Sequence, residues 1–61
     1  MRIKFIKNFP SNVTDIKLGE EHEVVVKKEA DKFTNYIRYQ IKIASLGVLI
    51  NVPEMFVEEI D

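Results

Sequence analysis

Tyr36-Ile37-Arg38-Tyr39-Gln40-Ile41-Lys42-Ile43 places Ile37, Tyr39, Ile41 and Ile43 in strict alternation with Arg38, Gln40 and Lys42. After Ala44-Ser45-Leu46-Gly47 the same alternation resumes, with Val48, Ile50 and Val52 set against Leu49 and Asn51. A period of two is that of a half-buried strand, since successive side chains of an extended backbone point to opposite faces. Two such runs joined by a short loop ending in glycine predict a β-hairpin. Antiparallel pairing across it puts Lys42 opposite Leu49 and Gln40 opposite Asn51. Pro53 ends the hairpin, because proline has no N–H to donate to a ladder.

Outward from the hairpin, Pro53-Glu54-Met55-Phe56 has the length of one 3₁₀ turn, and Val57-Glu58-Glu59-Ile60 can be a short closing strand. Upstream, Glu21 to Lys27 contains the β-branched run Val24-Val25-Val26, which favours a strand. With Val24 and Val26 inward, His22 faces inward too and Val25 faces out. Lys28 to Lys32 is too short and polar to stand as a helix and is read as a loop. At the start, Arg2-Ile3-Lys4-Phe5 alternates again, and the same period carries on to Phe9, so a first strand has Ile3, Phe5 and Phe9 on one face. Between Pro10 and Gly19 turn formers mix with Val13, Ile16 and Leu18, which predicts one excursion loop packed down by those three side chains. Gly19 is expected to supply a positive φ before the second strand.

Five strands and one 3₁₀ turn account for the 61 residues as a single domain, residues 1–61. A domain of this size buries only about 60% of the surface of its unfolded chain. With no cysteine, neither a disulfide nor a thiolate metal site can supplement the core. Met1 to Lys7 alternates charge with apolar residues, unlike a secretory signal or membrane anchor, so a cytoplasmic protein is expected. Asn12-Val13-Thr14 then reads as turn chemistry rather than a used glycosylation sequon. The net charge of −1 argues against a general attraction to nucleic acid or acidic membranes. Bases nevertheless gather at the start (Arg2, Lys4, Lys7) and acids at the end (Glu54, Glu58, Glu59, Asp61). Pairing of the two chain ends would bring them together.

This order of parts, with a long loop after strand one, a tight hairpin between strands three and four and a proline-led 3₁₀ turn before a short last strand, resembles the SH3 barrel. Val52-Pro53-Glu54-Met55-Phe56-Val57 is similar to that family's passage from a Val-Pro, through an aromatic residue, into the last strand. The resemblance implies an all-β, five-stranded antiparallel SH3-like barrel. In size and pattern the chain looks like the short SH3-like proteins of Gram-positive bacteria and their phages, with a basic first strand, a Gly-led second strand and an acidic end after an aromatic residue. Peptide-binding members stack a proline-rich helix on two aromatics of the first loop, a tryptophan and the aromatic of the 3₁₀ turn. Phe56 can fill the last role, but the chain has no tryptophan and Phe9 is followed by Pro10, so that specificity is not expected.

Catalysis needs a nucleophile beside a base, paired carboxylates in a cleft, or a metal constellation. His22 is the only histidine, its neighbours Glu21 and Glu23 point to the opposite face of a strand, and Glu58 and Glu59 point apart for the same reason. Gly19 and Gly47 are too far apart to form a phosphate loop. A non-enzymatic protein without a cofactor is expected. Phe33, Tyr36, Met55, Val25, Leu49 and Ile6 lie in loops or on outward faces, which suggests a module that docks on an unidentified protein partner, as adaptor or inhibitor. The alternative is that Phe33 and Tyr36 cap the barrel end and Met55 plugs its base. A second reading takes Lys27, Arg38 and Lys42, with Gln40 and Asn51, as one outward face that binds nucleic acid weakly. Self-association through a strand edge, or through Val25 and Leu49, would make a homodimer.

Overall fold

The computed structural model describes residues 1–12 and 14–61. The strands are β1 (Arg2–Phe5), β2 (Glu21–Lys28), β3 (Arg38–Ile43), β4 (Val48–Pro53) and β5 (Val57–Glu59), with a 3₁₀ turn over Glu54–Phe56. All neighbours are antiparallel, in the order β4-β3-β2-β1-β5. This is the expected five-stranded SH3-like barrel, with β2 shared between a β1–β5 half and a β3–β4 half.

The hairpin has the predicted register, with Lys42 opposite Leu49, Gln40 opposite Asn51 and Ile43 opposite Val48. Its loop closes through N–H groups of Leu46 and Gly47 donating to the Ile43 carbonyl at 3.1 and 2.8 Å. Gly47 (φ +67°) and Gly19 (φ +92°) occupy the left-handed region that only glycine enters at no steric cost. The chain ends do pair, with Ile3 opposite Glu59 and Phe5 opposite Val57.

One core fills the barrel: Ile3, Phe5, Ile16, Tyr39, Ile41, Ile43, Val52 and Val57, with Phe9, Val24, Ile37, Val48, Ile50 and Phe56 packed around it. The alternation in β1, β3 and β4 delivers these residues, since every second side chain lands inside. Several local expectations are corrected. The first strand ends at Phe5, and Phe9 forms a separate antiparallel bridge with Ile16 after the chain bends. β3 begins at Arg38, not Tyr36, because Ile37 uses its carbonyl to accept from the Glu54 N–H of the 3₁₀ turn. Val26 faces out, not in, because the register shifts between Val24 and Val26 and this bulge reverses the alternation. In the excursion loop Ile16 is buried as expected, Leu18 is exposed, and Val13 lies outside the described residues. Among the described residues no helix is long and apolar enough to cross a membrane.

The bulge also swings Lys27 onto the side of Tyr39, its partner across β3. There Lys27 Nζ donates to Glu59 Oε2 at 2.7 Å and the Tyr39 hydroxyl donates to the same oxygen at 2.6 Å. One carboxylate of β5 thus ties down β2 and β3. The Lys27 ammonium first, then the Tyr39 hydroxyl, hold the Glu59 carboxyl below its ordinary 4.5. Burial, and then the carboxylate acceptor, push Tyr39 up to about 12. A carboxyl lowered in the folded state contributes stability that is present above its unfolded pKa and lost as pH falls through the folded value. A tyrosine raised in the folded state loses its contribution as pH rises from 10 towards about 12. Thermal melts of Glu59→Gln are therefore expected to start from a lower midpoint at pH 7 and to fall less between pH 7 and pH 3 than those of the wild type. A parallel decline of the two chains would remove Glu59 from the acid limb.

Candidate interaction surface

The loop over residues 29–37 is held by local bonds centred on Asp31. Asp31 Oδ1 accepts from the backbone N–H of Phe33 at 2.8 Å and of Thr34 at 2.7 Å, while the Asp31 N–H donates to the Thr34 carbonyl at 2.7 Å. These bonds make an Asx-type turn, the local closure that aspartate favours over regular structure. The N–H groups of Thr34 and then Phe33 lower the Asp31 pKa. Arg38 Nη2 lies 3.9 Å from Asp31 Oδ2, which ties the turn to the start of β3.

At the apex of this turn Phe33 is 86% exposed, with the Lys32 ammonium over its ring at 5.1 Å. It does not cap the barrel. Tyr36 is half-buried, and Met55 is exposed rather than plugging the base. Val25 (54% exposed) and Leu49 (53%) lie outside as expected, and the bulge adds Val26 (42%), which alternation had placed inside. Val26 sits opposite Gln40, and Gln40 opposite Asn51, so one cross-strand row runs over the outer side of β2, β3 and β4.

The basic face is only partly assembled. Arg38 and Lys42 are on the outer side of β3, but Lys27 is not with them, for the reason given above. Lys28 stands opposite Arg38 in its place. Lys27 is engaged by Glu59 and Arg38 leans on Asp31, with its Nε buried and without a partner. Glu23 is drawn to the opposite end of the molecule, 3.5 Å from the terminal ammonium and 3.8 Å from Arg2. Arg2 also reaches Glu21 at 3.2 Å, so the basic start of the chain is matched mainly by β2 rather than by the acidic end.

A groove of about 380 Å³ lies at the other end of the barrel, between the excursion loop and the β3–β4 turn. It is lined by Asp15, Ile16, Glu20, His22, Lys42 and Ser45 among others. His22 Nε2 is 3.0 Å from Glu20 Oε1, and Phe5 meets the imidazole edge-on at 5.7 Å. Glu20 Oε2 accepts the Lys17 N–H at 2.8 Å. The Lys17 N–H, then His22, lower the Glu20 pKa. This carboxylate therefore clasps the foot of the excursion loop to β2. The pairing escaped the reading of Glu21 and Glu23 as His22's neighbours, although residues two apart on a strand share a face and Glu20 fits that rule. Among the described residues, no group of three or more His, Asp or Glu is placed to hold a metal. Phe56, the residue suited to stacking a proline-rich helix, is half-buried edge-on to Phe9 with ring centres 4.9 Å apart.

Compared with known proteins, the chain matches no family model, and no curated protein or solved structure matches it significantly. The class that stands on the geometry alone is a small all-β barrel with one exposed aromatic on a braced turn.

Proposed function

We propose that this chain is a small non-enzymatic protein-interaction module, acting in the cytoplasm as an adaptor or inhibitor, with Phe33 as its anchor. The observation that carries the reading is the exposure of Phe33 on a turn braced by Asp31. Burying a phenylalanine is favourable by about 1.5–3 kcal/mol, so a partner pocket gains what the free barrel forgoes. The bonds to Asp31 hold the backbone in place beforehand, which lowers the ordering cost of docking. Anchors of this type, one rigid aromatic entering a pocket, supply much of the energy in protein interfaces. The nucleic-acid reading is less well supported, because Lys27 and Arg38 already face carboxylates and each phosphate contact requires a cation free to release counterions.

The test is capture of partners by the tagged chain from a Gram-positive bacterial lysate, with and without nuclease, repeated with Phe33→Ala and Leu18→Ala. The lysate follows from the resemblance to short SH3-like proteins of those bacteria and their phages. One stoichiometric protein is expected to bind the wild type and Leu18→Ala, to survive nuclease, and to bind Phe33→Ala at least about tenfold more weakly. The thermal midpoint of Phe33→Ala should match the wild type, since the ring packs on nothing in the core. Undiminished capture by Phe33→Ala would sink the proposal. Loss of capture on nuclease treatment would shift the weight to Lys28, Arg38 and Lys42.

A further inference from the structure

The edge of a sheet is a row of backbone donors and acceptors ready to pair, and proteins blunt edges with charge, proline, bulges or brevity. This sheet has two edges. β5 is blunted: it is three residues long, two of them glutamates. β4 is six residues long and, alone among the strands of the described residues, bears no charge. The uncharged run extends over residues 44–53, from the hairpin turn to Pro53. Proline removes one donor at the far end and leaves Val48 to Val52 able to pair. On the outer side of this edge Leu49 is half exposed, and the row Val26, Gln40, Asn51 leads up to it from within the sheet.

We infer that β4 pairs antiparallel with β4 of a second copy of this chain, so that the two sheets continue into one across a two-fold axis. The choice of occupant follows from charge and symmetry. A two-fold axis sets a strand antiparallel to itself, so a charge near the axis, or one repeated along a strand of a single sign, meets a like charge close by. Of the two edges, β5 would set its glutamates against one another, and β4 brings no charge to the axis. Centred on Ile50, the pairing sets Ile50 against Ile50, Leu49 against Asn51 and Val48 against Val52. Leu49 of each copy then lies beside Asn51 of the other on the outer surface, and Lys42, one strand further in, stays clear of its mate. The contact is one strand wide and about 20 Å long. That is less than the roughly 1,200 Å² that stable specific complexes bury, so the dimer is weak and concentration-dependent.

The experiment is sedimentation equilibrium with matched ¹⁵N amide spectra of the full chain, from about 20 µM to about 1 mM. The average mass is expected to rise towards that of two chains, with shifts concentrated on Val48 to Val52. Asn51→Lys and Leu49→Lys bring like charges to the axis from exposed positions that the core does not use. Each should weaken association at least about tenfold while the spectrum stays folded. Mixing Asn51→Lys with Asn51→Glu chains should restore it as a heterodimer. Phe33→Ala should leave it unchanged, which separates this inference from the proposed partner site. A monomer throughout the wild-type series would overturn the inference. So would association that both lysine variants leave intact, or concentration shifts centred on another surface.

Discussion

Phe5→Ala is expected to leave no cooperatively folded protein at 25 °C. Phe5 is the largest of the fully buried side chains and packs against the rings of Phe9 and His22. Its backbone joins three parts of the molecule: its N–H donates to the Glu20 carbonyl at 2.8 Å, its carbonyl accepts from Gly19 at 2.8 Å, and it stands opposite Val57 of β5. Truncating a buried phenylalanine costs about 3–5 kcal/mol, through lost transfer energy and the cavity left behind. At about 0.05–0.15 kcal/mol per residue, a chain of 61 residues has roughly 3–9 kcal/mol in all. A domain this small is marginal and belongs in the lower half of that range, so the substitution consumes most or all of the stability. Urea titration followed by circular dichroism checks this. Phe5→Leu, which keeps most of the volume, should retain a cooperative transition at a loss of about 1–1.5 kcal/mol. A cooperative Phe5→Ala transition within 1 M urea of the wild-type midpoint would show that the core closes around the gap.

The second large effect is in a loop. Ile16→Ala is expected to cost about 2–3 kcal/mol, the lower part of the range for buried aliphatic truncations. Ile16 is buried and exchanges two backbone bonds with Phe9, at 2.8 and 3.1 Å, so the excursion between β1 and β2 is tied into the core. The cost falls low in the range because Ile16 also lines the open groove beside Ile43, and the space it vacates joins that groove instead of becoming a sealed cavity. Leu18→Ala, two residues on and exposed, should change stability by less than about 0.5 kcal/mol. A pair of equal, small effects in denaturant titrations would mean that the excursion is detached from the core.

Most strand positions were legible because alternation is a local property. Ile41 and Lys42 point to opposite sides in any extended chain, whatever surrounds it, so the hairpin register down to Lys42 opposite Leu49 follows from the pattern and a loop length. The same reasoning misplaced Val26 and Lys27. The triple valine carries no sign of a bulge, and one extra residue reverses every later side chain in the strand. That single irregularity took Lys27 out of the basic face, put Val26 on the surface, and created the junction with Tyr39 and Glu59.

For the candidate surface, composition marked Phe33, Val25 and Leu49 as surplus to a small core but could not separate an exposed aromatic from one that caps the barrel. Asp31 ahead of Phe33 and Thr34 is a turn signal in hindsight, since an aspartate followed two and three residues later by free N–H groups is the Asx pattern. The Glu20–His22 clasp was likewise within reach of the period-two rule once Glu20 was counted with the strand.

By itself the sequence determined an all-β chain, its hairpin, the positive φ at Gly19, the 3₁₀ turn after Pro53 and most of the core, because each depends on residues near one another along the chain. Only the tertiary structure decided where the ladder slips, which carboxylate meets Lys27 and Tyr39, and that Phe33 stands in water while β4 keeps an open, uncharged edge. Those outcomes depend on which segments become neighbours across the barrel, and a residue's own sequence context carries no record of the side chains that will face it there.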